Sequence, residues 1–118
     1  MLLNFKSYKH FVVCGKTDMR CGVYRLSRRI QDDFKINPFS KSMFLFCGGS
    51  GYRTLKMLAW EPTGFYLITK YVNLDSKGFS WPRNEKEAKN ITYAELEQLL
   101  DGVDIFRRIT PVRGIPLL

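Results

Sequence analysis

Lys16, Thr17, Asp18 and Arg20 lie within five positions of one another, between Gly15 and Gly22. An ammonium, a hydroxyl, a carboxylate and a guanidinium so close together could hold a phosphate or help to cleave one. Two enzymatic readings fail on spacing. Gly15-Lys16-Thr17 matches only the end of a nucleotide phosphate-binding loop, because the glycine that the signature needs five positions before Gly15 is His10. A metal-dependent nuclease needs paired carboxylates or histidines to hold the metal and its water, and Asp18 has no such companion in the basic half. His10 is the sole histidine, and Cys14, Cys21 and Cys47 contain no C-x-x-C pair, so no zinc site is expected. The expectation is a protein that is not an enzyme, with no metal and no cofactor. Cys14 and Cys47 sit in apolar runs and read as buried, reduced thiols, which points to the cytoplasm.

The elements that must position this stretch can be read on either side of it. Phe11 to Cys14 is an apolar run that predicts a buried strand. Met19, Val23, Leu26, Ile30 and Phe34 recur at spacings of three and four, which predicts a helix from Asp18 to about Phe34. Gly15 would then supply the strand-to-helix turn and Thr17 the N-cap, with Asp18 in the first helical turn beside the positive end of the helix dipole. Gly22 would fall inside the helix and mark a close backbone approach. On the polar face, Asp32 is placed to pair with Arg28 and Arg29. Asn37-Pro38 should follow the helix end.

Met43 to Cys47 is apolar on both faces and predicts a central strand. Gly48-Gly49-Ser50-Gly51 reads as a hairpin loop, Tyr52 to Trp60 as an alternating strand, Glu61 to Gly64 as a turn and Phe65 to Val72 as a further strand. Phe79 to Pro82 could add a short edge strand, with Trp81 and Pro82 as structural residues. Arg83 to Asn90 reads as a polar link. Thr92 and Glu95 form a capping box ahead of Leu96, Leu99 and Leu100, and Gly102 ends that second helix. The fold class expected is α+β, an antiparallel β-meander of about four to five strands packed with two helices. The 118 residues predict one domain with its core over about 11–106, a loose arm over 1–10 and an irregular tail over 110–118. The first residues are too soon polar for a signal peptide, and no run of about 18 apolar residues predicts a membrane span.

The net charge of +8 is unevenly placed. Residues 1–60 carry 11 Lys and Arg against 3 acids, whereas residues 61–118 carry 8 of each. A basic half favours a polyanion, of which nucleic acid is the commonest in the cytosol; the plainer alternative is a basic surface that only keeps the protein soluble. Lys16, Arg20, Arg53, Lys56 and Lys70 are the candidate phosphate contacts, with Gly15, Thr17, Asp18 and Gly22 building the corner around them. Lys56 and Lys70 would share an exposed sheet face if residue 56 pairs near residue 70. A turn centred between Pro62 and Thr63 is one residue away from that register, a difference that a bulge or diagonal contact could absorb. Tyr66, Tyr71, Trp60, Phe79 and Trp81 could stack bases near the two lysines, but strand aromatics more often cover a core.

Cys14-Gly15-Lys16-Thr17-Asp18-Met19-Arg20 followed by Gly22 resembles the signature of the TnpB (second open reading frame) accessory proteins of the insertion sequences numbered sixty-six, which are distinct from the RNA-guided nuclease sharing that name. Asn37-Pro38-Phe39-Ser40, Phe44-Leu45-Phe46, Lys56-Met57-Leu58 with Trp60, Gly64-Phe65 with Leu67 and Lys70, and Gly78 to Pro82 continue the pattern in order. The chain departs from it at Cys21, at Gly48 to Gly51 and at Tyr71, where the family usually has basic residues. The resemblance implies a non-catalytic bacterial accessory protein of transposition, encoded beside a transposase. It would bind transposon DNA with weak sequence preference, the transposase, or both. The alternative is an adapter that docks on the transposase without touching DNA, with exposed aromatics such as Trp81 as anchors.

Overall fold

The computed structural model describes residues 4–75, 77–83 and 87–106; the tail expected over 110–118 lies outside them. The elements run β1 (Lys9–Thr17), α1 (Val23–Phe34), β2 (Ser42–Gly48), a 3-10 turn (Ser50–Tyr52), β3 (Thr54–Glu61), β4 (Gly64–Tyr71), β5 (Ala88–Ile91) and α2 (Tyr93–Leu100). The strands form one sheet in the order β4-β3-β2-β1-β5. The α+β class with two helices is as expected, but the sheet is mixed. β1 runs parallel to β2 through the α1 crossover, while the other neighbours are antiparallel. A parallel pair needs a crossover, and α1 supplies it.

Both faces of the sheet are covered. Val13, Phe44, Phe46 and Leu58 meet Leu26 and Ile30 of α1 on one face. On the other, Val12, Leu45, Cys47, Leu55, Met57 and Ala59 meet Leu96 and Leu99 of α2 together with Phe5, Phe79 and Trp81. β2 is buried along its whole length, as an apolar-on-both-sides strand must be. Each of these large side chains contributes roughly 1.5–3 kcal/mol through the apolar surface it removes from water. Burial of Phe5 against Tyr8 and Tyr66 also means that the described part of the N-terminal segment packs on the core; it is not a loose arm.

The capping box of α2 is formed. The Thr92 hydroxyl accepts from the Glu95 amide at 3.0 Å, and the Glu95 carboxylate accepts from the Thr92 amide at 2.9 Å. Such a cap contributes about 1 kcal/mol. Three other expectations are corrected. β1 does not stop at Cys14 but continues through Gly15-Lys16-Thr17, and α1 starts at Val23 with Gly22 as its N-cap. Gly22 therefore lies outside the helix, and a Cβ there would meet nothing within 4 Å. Residues 88–90, the end of the segment Arg83 to Asn90 read as a polar link, belong to the edge strand β5. Residues 79–82 form no ladder; they are a strap across the sheet end, held by Phe79 N to Tyr52 O at 2.9 Å, Trp81 Nε1 to Val13 O at 2.9 Å and Gly15 N to Pro82 O at 2.7 Å. Proline lacks the amide a ladder needs, but its carbonyl serves the strap.

Candidate nucleic-acid interface

The signature stretch is built by a bulge. Val12 pairs with Leu45 but Lys16 with Cys47, so β1 carries two extra residues over that interval. Gly15 absorbs them with a φ of 83°, which is open to glycine without steric cost. Two extra residues preserve the alternation of faces. Lys16 thus shares the strap face with Cys47, and Thr17 turns toward α1. Thr17 is not an N-cap: it is buried, and its hydroxyl accepts from Arg29 Nη1 at 2.8 Å. Asp18 is not in a helical turn either. It is exposed, accepts from the Arg20 amide at 2.9 Å and grips the Arg20 guanidinium at 2.7 Å. That guanidinium, with the Arg20 amide, holds the Asp18 carboxyl well below the usual carboxylate range.

Lys16 and Arg83, far apart in sequence, converge on one ring. The Lys16 ammonium stands 5.5 Å from the centre of the Tyr52 ring, and the Arg83 guanidinium 5.6 Å from it. Both side chains belong to exposed residues. The negative face of an aromatic ring holds a cation without neutralising it, so both charges remain available to an anion. Tyr52 is itself set rigidly. Its φ is 57°, unusual for any residue but glycine, and its carbonyl accepts from Phe79 N. The strap presses so close that a Cβ on Gly78 would lie 1.8 Å from the Gly51 carbonyl oxygen. Beside the ring, Gly51, Tyr52, Lys77, Gly78, Ser80 and Arg83 line part of an open groove of about 450 Å³. Arg53 reaches back to the Ser50 carbonyl at 3.3 Å on the same loop. A second shallow groove, about 470 Å³, runs past Lys16, Asp18, Arg20 and Gly49.

The two sheet lysines are arranged differently. The β3–β4 register places Lys56 opposite Thr69 and Lys70 opposite Leu55. The two-residue turn at Pro62-Thr63 keeps its ideal register, so the lysines lie on opposite faces and do not share one. Lys56 Nζ donates to the carbonyls of Met19 and Cys21, at 2.7 and 2.9 Å, and thereby ties down the segment leading into α1. Lys70 Nζ donates to the Leu100 carbonyl at the end of α2, where the helix dipole favours a cation. On the surface of α1, Asp33, not Asp32, approaches Arg29, at a loose 3.8 Å.

Of the aromatics considered for base stacking, Phe79 and Trp81 are buried, and Trp81 cannot serve as an exposed anchor. Trp60, Phe65 and Phe39 instead form a cluster with centroids 4.9 to 5.5 Å apart beside exposed Tyr24. Sequence reasoning passed over Tyr52 and Arg83. Only the position of Arg83 directly after Trp81-Pro82 signals it, since a residue next to a packed tryptophan is held in place. Among the described residues no group of His, Cys, Asp or Glu is clustered to hold a metal, and no helix is long and apolar enough to cross a membrane.

Lys16, Arg20 and Arg83 thus give the α+β scaffold one open basic corner. The chain belongs to the family of IS66 Orf2-like proteins, whose pattern matches residues 8–109. It is thus a transposition-associated accessory protein. A protein of Sinorhizobium fredii (strain NBRC 101917 / NGR234), named uncharacterized protein y4hO, is 38% identical over 104 residues, 88% of each chain. No solved structure matches the chain.

Proposed function

We propose that this accessory protein binds transposon DNA through backbone phosphates at the corner where Lys16 and Arg83 meet over Tyr52. The convergence of these two cations on one rigid ring carries the reading. Arg20, Arg53 and Lys77 extend the charge around it. Phosphate contacts of this kind position a protein without reading bases, so binding should be modest and largely blind to sequence. Lys56 and Lys70, first counted among the contacts, act in this proposal as internal ties. Three to five phosphate contacts give a log–log salt slope of about −3 to −4.5. A salt titration on duplex DNA, carried out with and without the neighbouring transposase, tests this. Absence of binding at low salt, in both arms, overturns it.

The adapter reading is supported by a different observation. The Phe39, Trp60 and Phe65 cluster, with Tyr24 86% exposed beside it, is an apolar patch of the composition found at interface hot spots. Capture of the transposase by the pure protein without DNA, lost in Trp60→Ala, would favour this function over DNA contact.

A further inference from the structure

The two edges of the sheet are unequal. β5 is four residues long and carries Lys89 and Asn90, a short polar edge of the kind that resists pairing. β4 is eight residues long, Gly64-Phe65-Tyr66-Leu67-Ile68-Thr69-Lys70-Tyr71, without proline, and lies at the other edge of the described sheet. Lys70 is its one charge, and that charge is directed to the end of α2. β4 thus lacks the usual protections of an exposed edge.

The hydrogen-bonding phase of this edge follows from one contact. Val72 N donates to Arg53 O, so residue 72 faces β3, and by alternation so do residues 64, 66, 68 and 70. Phe65, Leu67, Thr69 and Tyr71 turn their amides and carbonyls outward. An antiparallel partner must therefore match odd residues to odd residues. For a second copy of the same strand, two such registers share the longest overlap, one centred on Leu67 and one on Ile68. The first sets Lys70 opposite Gly64, which has no side chain, and the second, with Ile68 against Ile68 of the other copy, sets it opposite Tyr66. Phe65 then meets Tyr71, Leu67 meets Thr69 and Tyr66 meets Lys70, each twice. A two-fold axis normal to the sheet keeps like faces together, so both cores continue across the junction.

This register also matches charge. Each Lys70 arrives opposite a Tyr66 whose phenol stands beside the Glu61 carboxylate, and an ammonium has three donors, enough for both Leu100 and Glu61. No lysine faces a lysine. Tyr71, 76% exposed in the single chain, gains an aromatic partner in Phe65.

We propose that a second copy of this chain adds to β4 in antiparallel fashion about Ile68, joining two sheets into one of ten strands. The basic corner lies at the end of the sheet where β4 finishes, so the two-fold places the two corners at opposite ends of the joined sheet.

The test uses the full chain. Its mass in solution is followed by light scattering from low to high micromolar concentration, with disulfide trapping in parallel. A dimer is expected. Ile68→Cys should form an intermolecular disulfide under mild oxidant, since directly opposed residues of a non-hydrogen-bonded pair have their Cα atoms about 4.5 Å apart. Leu67→Cys should not, because its counterpart is displaced diagonally. Thr69→Pro removes an outward amide only, so it should fold with unchanged circular dichroism and remain monomeric. A chain that is monomeric throughout, a dimer trapped by Leu67→Cys and not Ile68→Cys, or a Thr69→Pro variant that still dimerises would each overturn the proposal. None of these readouts depends on DNA.

Discussion

Lys16 and Lys56 are one residue type on neighbouring parts of one sheet, yet their ammonium groups are used differently. Lys56 donates to two main-chain carbonyls within 2.9 Å and is half-buried. Lys16 is exposed and rests on the face of Tyr52. A carbonyl saturates an ammonium donor by donor, whereas a ring orients the charge and leaves its hydrogens free. The lesson is that a basic half of a chain does not translate into a basic face. Arg20 stands between the two cases, solvent-exposed but gripped by Asp18.

The largest effect expected is on the scaffold that both lysines depend on. Trp81→Ala removes a buried indole and leaves the Val13 carbonyl without its donor, so it should cost about 3–5 kcal/mol in chemical denaturation. It should also displace the strap that carries Arg83. If Trp81→Ala melts like the parent protein, the corner is not held by the strap.

Lys56→Ala comes next. Loss of two charge-assisted hydrogen bonds should destabilise the fold by about 1.5–3 kcal/mol while leaving the salt slope of DNA binding unchanged. In Lys16→Ala and Arg83→Ala the pattern should reverse. Each should lower that slope by about one unit with the denaturation midpoint nearly unmoved. Equal slope changes in Lys56→Ala and Lys16→Ala would erase the distinction between them.

Asp18→Asn should have the smallest effect and the opposite sign. It removes a negative charge from the corner and releases Arg20, so affinity at low salt should rise by about two- to fivefold, within the range of an exposed ion pair. Because the Asp18 carboxyl is held below the ordinary range, its contribution to stability is present above the unfolded pKa. That contribution is lost only as pH falls through the lowered folded value. DNA binding should therefore show no Asp18-dependent change from pH 8 down to about pH 4, where an ordinary aspartate would already be half protonated. A titration in that window, absent in Asp18→Asn, would show that the pair is weaker than its geometry.

Much of the fold was legible in residues. The apolar run of β2, the alternation of β3, the Pro62-Thr63 turn and the Thr92–Glu95 box are local signals, and each sits where it was expected. The errors gather where distant segments decide. Gly15 looks like a turn because glycine is permissive, but the positive φ serves a bulge within a longer strand. β5 is too polar to read as a strand, and only its pairing with β1 makes it one. Of the proposed site, Lys16 and Arg20 could be named from the residues alone, and they line one groove. Tyr52 and Arg83 could not, because nothing in a sequence shows that residues 16 and 83 meet.

The placement of β1 has a consequence for how the chain reaches its native state. The first strand made is an interior one, with neighbours that begin at residues 42 and 88. During synthesis β1 must wait for a crossover to close on one side and for most of the chain on the other. β2, β3 and β4 can meanwhile pair by short turns. Contacts of long sequence separation slow folding, so refolding should begin in the 42–71 hairpins and be limited by insertion of β1. In that interval the bulge does not exist, and Lys16 has no ring to rest on. The basic corner is thus a late product of folding, assembled only when residues 16, 52 and 83 have met.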